Sequence, residues 1–247
     1  MRRHSVSFAA RLLGVVYRVD LHSHTGHSKD SLLPAADLLA AAAAHGLAAI
    51  AVTDHDSLGG GQQAAELAAR RPEQFGGVRV LPGNEIKTAE GEIIGLCLRR
   101  DIASGLSPEE TIARIREQGG LVIVPHPFDR LRRSRITEAA LHRVAHLVDA
   151  IEGLNARTTL AADSLSAQRF ARERGLAITA GSDAHVASEV GTAYLVLDEP
   201  PDERPAALLE QLRRARLGGR LSSPLVHVHS KLASWRKKLG IAPAVQL

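Results

Sequence analysis

Short apolar runs alternate along the chain with longer stretches whose apolar residues recur at helical spacing, and the runs repeatedly end in a histidine or a carboxylate. The runs at 16–24, 48–53, 78–85, 93–98, 121–125, 150–155, 177–182 and 193–197 predict strands. Between them, 34–45, 61–70, 108–118, 137–144, 160–174 and 205–217 predict helices. Pro34 and Pro108 stand where proline is tolerated in a first helical turn, and Gly46, Gly119 and Gly175 where helices commonly stop. Alternating strands and helices predict an α/β fold with a largely parallel sheet.

Composition narrows the picture. With 247 residues, 45% hydrophobic and 23% charged, the chain can bury a substantial core, and it contains no internal repeat or interdomain linker. We expect one catalytic barrel over 15–217 and a basic extension over 218–247, whose Lys231 to Lys238 stretch around Trp235 reads as a short helix packed by Leu232 and Trp235. The net charge of +4 and pI of about 9.6 favour anionic partners. Cys97 is the sole cysteine, so the chain has no internal disulfide and no thiolate cluster; any metal must sit on nitrogen and oxygen. Arg11 interrupts the apolar stretch that follows Arg2-Arg3, which argues against an export signal, and no apolar run reaches the length of a membrane span. A soluble, cytoplasmic protein is expected.

The polar residues that close the apolar runs carry the chemistry. The first run leads into His22-Ser-His24, and residues two apart on an extended chain lie about 6.6 Å apart on one side, so both imidazoles can turn to one ion. Later runs end in Thr53-Asp54-His55, Asn84-Glu85, His126, Glu152 with Asn155, and Asp183 with His185. In a barrel of parallel strands the carboxyl ends converge on one face, so these side chains would meet there. His27, His45, the pair His142 and His146, His227 with His229, and Cys97 lack that context, and structural or surface places are expected for them.

The combination His22-Ser-His24-Thr-x-x-Ser28-x-Asp30, Thr53-Asp54-His55, Glu85, His126-Pro127, Asn155 and Asp183-x-His185 resembles the PHP (polymerase and histidinol phosphatase) family of metal-dependent phosphoesterases. The resemblance runs from residue 20 to about 197. It implies a distorted (β/α)7 barrel with two or three divalent ions, manganese, zinc or iron, in a cleft at the carboxyl-end face. Carried onto this sequence, it places His22, His24, Glu85 and Asp183 around one ion, extends Glu85 to a second held by His126, and gives a third to Asp30, His55 and His185. Asn155 offers either an amide-oxygen ligand or an anchor for a water.

The expected activity is hydrolysis of a phosphomonoester of a small metabolite or nucleotide by a metal-bridging hydroxide, because metal coordination brings the pKa of water toward neutrality and offsets phosphoryl charge. Glu85, Asp183, His185 and Asp54 are the expected catalytic residues. Asp20 and Asp54 could orient imidazoles or simply be strand-end carboxylates. The loop Phe128-Asp-Arg130-Leu-Arg132-Arg133-Ser-Arg135 leaves the same face, and Arg130 and Arg157 are the expected grips on the substrate phosphate. The rival readings are a nuclease releasing mononucleotides from short oligonucleotides and a metal-stabilised domain without catalysis. An amidohydrolase-type reaction is disfavoured by Asp183-x-His185 and by the lack of a bridging lysine other than Lys87 near a proposed ligand. The expected partner is a soluble phosphate ester, with no membrane and no assigned oligomeric state.

Overall fold

A computed structural model describes residues 15–223 and 226–240. The stretch 1–14, on which the export argument rests, and residues 241–247 lie outside the described residues.

Nine strands form one sheet: β1 (Tyr17–Asp20), β2 (Leu47–Val52), β3 (Arg79–Thr88), β4 (Gly91–Leu96), β5 (Leu121–Val124), β6 (Ala150–Asn155), β7 (Ala177–Gly181), β8 (Ala193–Leu197) and β9 (Arg216–Gly219). Their order is β7-β6-β5-β4-β3-β2-β1-β8-β9. The helices are α1 (Ala35–Ala44), α2 (Gly59–Arg70), α3 (Pro108–Glu117), α4 (Glu138–Val144), α5 (Ala161–Glu173), α6 (Pro205–Leu212) and α7 (Val226–Lys238). Ser107 starts α3 with a reciprocal capping box to Glu110.

The sheet curls until its ends nearly meet. Beyond β1 the chain hydrogen-bonds to the far side: Leu21 N–H donates to Ala180 O at 3.1 Å, Asp183 N–H to His22 O at 2.7 Å and His24 N–H to Ala184 O at 2.9 Å. This closure needs backbone against backbone, and a Cβ at Gly181 would collide with the His22 side chain. The result is the expected α/β barrel.

Alternation along each strand fills both sides of the wall. Val19, Ala49, Ala51, Leu121, Ile123, Ala150 and Ala177 join one buried cluster with Leu208 and Leu212 of α6. Their neighbours Ile50 and Val52 pack with α1, while Val122, Val124 and Ile151 pack with α3, α4 and α5.

Three features depart from the pattern read in the sequence. β4 runs antiparallel to both β3 and β5, and β8 antiparallel to β1, so only half of the strand pairings are parallel and the sheet is mixed. The helix expected to 217 ends at Leu212, and β9 pairs antiparallel with β8 through residues 216–219. Its four residues, Arg-Leu-Gly-Gly, are too short and too exposed to show an apolar alternation.

Candidate metal centre

At the carboxyl ends of the strands, polar side chains are buried that elsewhere would lie in water. His22, His24, Glu85 and Asp54 are 0% exposed and Asp183 1%. The local backbone is itself unusual: Asp183 has φ 54° and His126 φ 31°, the left-handed region that costs a non-glycine residue free energy. Both turn a side chain inward immediately after a strand.

The rings of His22 and His24 stand side by side, Nε2 to Nε2 at 3.1 Å. Glu85 Oε2 lies 3.3 Å and 3.4 Å from those two nitrogens, and Asp183 Oδ1 3.7 Å and 3.2 Å. The other oxygen of Glu85, Oε1, is 3.0 Å from His126 Nε2. Glu92 Oε2 approaches the same nitrogen at 3.9 Å. On the opposite side, Asp30 Oδ2 lies 3.4 Å from His55 Nε2 and 3.3 Å from His185 Nε2.

The surroundings fix the rings. His22 Nδ1 faces Glu152 Oε1 at 3.0 Å, which leaves the Nε2 lone pair to the cluster. Ser28 Oγ donates to Asp54 Oδ1 at 2.9 Å and receives His24 Nδ1 at 3.0 Å. Asp54 also accepts from Thr25 N at 2.6 Å and Thr25 Oγ1 at 2.7 Å. Helix α2 starts directly against this carboxylate, where a Cβ at Gly60 would run into Asp54 and Thr25. His185 Nδ1 lies 2.8 Å from the Asp183 carbonyl, turning Nε2 to the cleft.

The donor set fits cations. Asp30 Oδ1, Glu85 Oε2, Glu92 Oε2, Asp183 Oδ1 and His185 Nε2 are buried without a hydrogen-bond partner, although such groups are normally satisfied. Their convergence is what coordinating ions would satisfy, and imidazole with carboxylate suits manganese, zinc or iron. Groups that could each hold an ion include His24, His55 and His185; His22, His24 and Glu85; and His55, Glu85 and Glu92. The electrostatics agree. Burial opposes a charge on His22, yet Glu152, Asp183 and Glu85 hold its pKa well above the ordinary value. Burial likewise raises Asp183, but Arg132 and then His22 outweigh it and keep the carboxyl well below its usual range. The pocket demands positive charge.

Several positions differ from the reading of the sequence. Arg130 is corrected: its Nε pairs with Asp163 Oδ1 at 2.9 Å and the side chain is 62% exposed. Arg132 instead reaches in, with Nη2 2.6 Å from Asp183 Oδ2. Arg157 is buried, with Nη1 against the His185 ring. Asn155 points its amide N–H groups at Glu152 Oε2 (3.0 Å) and Asp183 Oδ2 (3.2 Å), while its oxygen accepts from Arg157 N. That is the geometry of a residue orienting carboxylates, not of a ligand. Asp54 reaches the cluster through Ser28, not by direct contact. Asp20 orients no imidazole: it accepts backbone N–H groups of His22, Ser182 and Gly191, and burial pushes its pKa up to about 6 against those bonds.

Glu92 and Glu152 were not among the expected site residues. Glu152 carried a signal, since it ends the run of β6. Glu92 carried none, because its direction is set by the pairing Lys87↔Glu92, which puts it on the face of Glu85.

The family model described as PHP-associated matches residues 165–217. An uncharacterized protein of Methanocaldococcus jannaschii is 42% identical over 150 residues, covering 56% of this chain and 82% of that protein. A solved two-domain protein of Bacteroides vulgatus containing a predicted PHP-like metal-dependent phosphoesterase superposes with a TM-score of 0.66 at 17% identity, over 83% of this chain and 65% of that one. The chain belongs to the PHP family, and its likeness to metal-dependent phosphoesterases is one of fold. A further relative in sequence, the 3',5'-nucleoside bisphosphate phosphatase of Chromobacterium violaceum, is 36% identical over 110 residues, 41% of this chain and 36% of that protein. Among the described residues, no helix is long and apolar enough to cross a membrane.

Proposed function

We propose that the protein is a metal-dependent phosphoric ester hydrolase that removes phosphate from a small metabolite or nucleotide in the cytoplasm. The observation that carries this reading is the set of buried, unpartnered atoms of Asp30, Glu92 and His185 on the wall of one cleft of about 580 Å³, which Arg132 and Arg157 also line, with those of Glu85 and Asp183 just behind, 3.2 Å from His55 and 3.6 Å from His185. A hollow of that size takes a ligand of nucleotide dimensions. That favours a compact ester over a strand of nucleic acid, and the C. violaceum relative, named as a phosphatase, points the same way.

His22, His24, Glu85 and Asp183 form one binding group, His126 with Glu85 and Glu92 a second, and Asp30, His55 and His185 a third. Divalent ions held there supply the polarisation of phosphoryl oxygens and the acidification of a water. The protein's own part is orientation and charge. Glu152 and Ser28 hold the rings of His22 and His24 with their free nitrogens inward. Asn155 holds Asp183 in place. Arg132, held by one Nη2 bond to Asp183, keeps further N–H groups of its guanidinium for a phosphate oxygen, while Arg157 holds the His185 ring.

Metal analysis of the purified protein, coupled to a screen of phosphomonoesters and short oligonucleotides, tests this reading. The expected result is bound manganese, zinc or iron and chelator-sensitive release of inorganic phosphate. Mononucleotide release from oligomers in place of phosphate release would shift the reading to a nuclease. Retained activity after exhaustive chelation would overturn it.

A further inference from the structure

Helix α7 does not trail from the barrel; it lies along the mouth of the cleft. At its start, Arg157 Nη2 donates to Val226 O at 2.8 Å. Just before it, Ser222 N–H donates to Ala156 O at 2.6 Å. Near its end, Lys237 Nζ donates to the carbonyls of Gly26 and Ser28. Its middle is seated by Ala233, only 7% exposed, with Leu232 and Ala233 beside Leu33 and Pro34. The helix is therefore fastened to two loops that carry site residues, those after β6 and after β1.

This fastening places Ser230 and Lys231 on the cleft wall together with Lys29 of the β1–α1 loop. Their state differs from that of the inner cations. Arg132 is committed to Asp183, and Arg157 to the His185 ring and the Val226 carbonyl. Lys29 and Lys231 are exposed to the cleft, and no carboxylate among the described residues pairs with either. Ser230 Oγ is buried and has no hydrogen-bond partner. A hydroxyl in that condition, on a wall bearing uncompensated ammonium groups, calls for an acceptor from outside the protein.

We infer that Ser230, Lys231 and Lys29 form an outer anion subsite, and that the substrate carries a second negative group, phosphate or carboxylate, remote from the phosphoryl group removed. The inference rests on the hydrolase reading. Lys231 and Ser230 act on specificity: they hold the part of the substrate that does not react, and α7 brings them to the cleft.

The test compares wild-type, Lys231→Ala and Ser230→Ala enzymes on p-nitrophenyl phosphate, glucose 6-phosphate, 6-phosphogluconate and fructose 1,6-bisphosphate. The wild-type enzyme is expected to prefer the compounds with a second anion. In Lys231→Ala the ratio of their kcat/KM to that for p-nitrophenyl phosphate should fall about tenfold, through KM. A smaller fall in the same direction is expected for Ser230→Ala. Whether 6-phosphogluconate or fructose 1,6-bisphosphate loses more tells carboxylate from phosphate. An unchanged ratio in Lys231→Ala, or no preference in the wild type, overturns the subsite. Failure of the wild type to release phosphate from every ester, p-nitrophenyl phosphate included, overturns the hydrolase reading instead.

Discussion

The two ends of the barrel treat an arginine–aspartate pair in opposite ways. Where the strands begin, Arg116 meets Asp149 through two bonds of 2.7 Å and 2.9 Å, and the guanidinium also donates to the Leu147 carbonyl. Asp149 accepts Val122 N–H as well, so both of its oxygens are paired. Where the strands end, Arg132 grips only one oxygen of Asp183; the other is buried and unpartnered, on a backbone in the left-handed region. A closed network adds stability and does nothing else. An open one costs stability and persists only if something binds it, which is why the strand ends, and not the strand starts, are where chemistry belongs.

That contrast can be attacked from both ends. The largest effect is expected for His24→Ala and Asp183→Ala, each lowering turnover on the order of 10³-fold while circular dichroism stays native. Near-normal turnover in either would remove the open cluster from the reaction. Next comes the arginine loop: Arg132→Ala should lower kcat/KM about 10- to 100-fold and Arg130→Ala less than about twofold, and the reverse order would restore the expectation drawn from sequence. Chelation should then lower the melting temperature by roughly 5–10 °C, since ions that bind only the folded state add stability by mass action. Calorimetry before and after restoring manganese or zinc checks it. Asp149→Ala should show the complementary behaviour. It should lose about 1–2 kcal/mol, roughly 2–8 °C in Tm after allowance for the half-open position of Arg116, with kcat/KM held and the same chelator shift as the wild type.

Much of this was legible in the sequence because the informative signals are local. An apolar run followed at once by His22, His55, His126 or His185 announces both a strand and what stands at its end, and parallel strands bring such ends together. Strand limits for 150–155 and 193–197 coincide with those in the structure for the same reason. What was not legible depends on how distant segments pair. Glu92 looks like any polar residue opening a strand until its register against Lys87 is known. The choice of Arg132 over Arg130 is made by the turn of a loop that Asp129 and Asp163 organise, a matter of three-dimensional path. The reach of Glu152 to His22 follows an irregularity in β6 between Glu152 and Leu154, which no periodicity marks.

The seam between the first strand and the seventh has a consequence for biosynthesis. Ser182 and His22 are 160 positions apart and touch across that seam. A growing polypeptide that has not yet delivered Asp183 thus has histidines but no enclosure for them, and the cage for ions comes into being only when the ring of strands is joined. Closure of the ring of strands therefore comes before any ion can be caged, and the proposed sites cannot fill on a nascent chain.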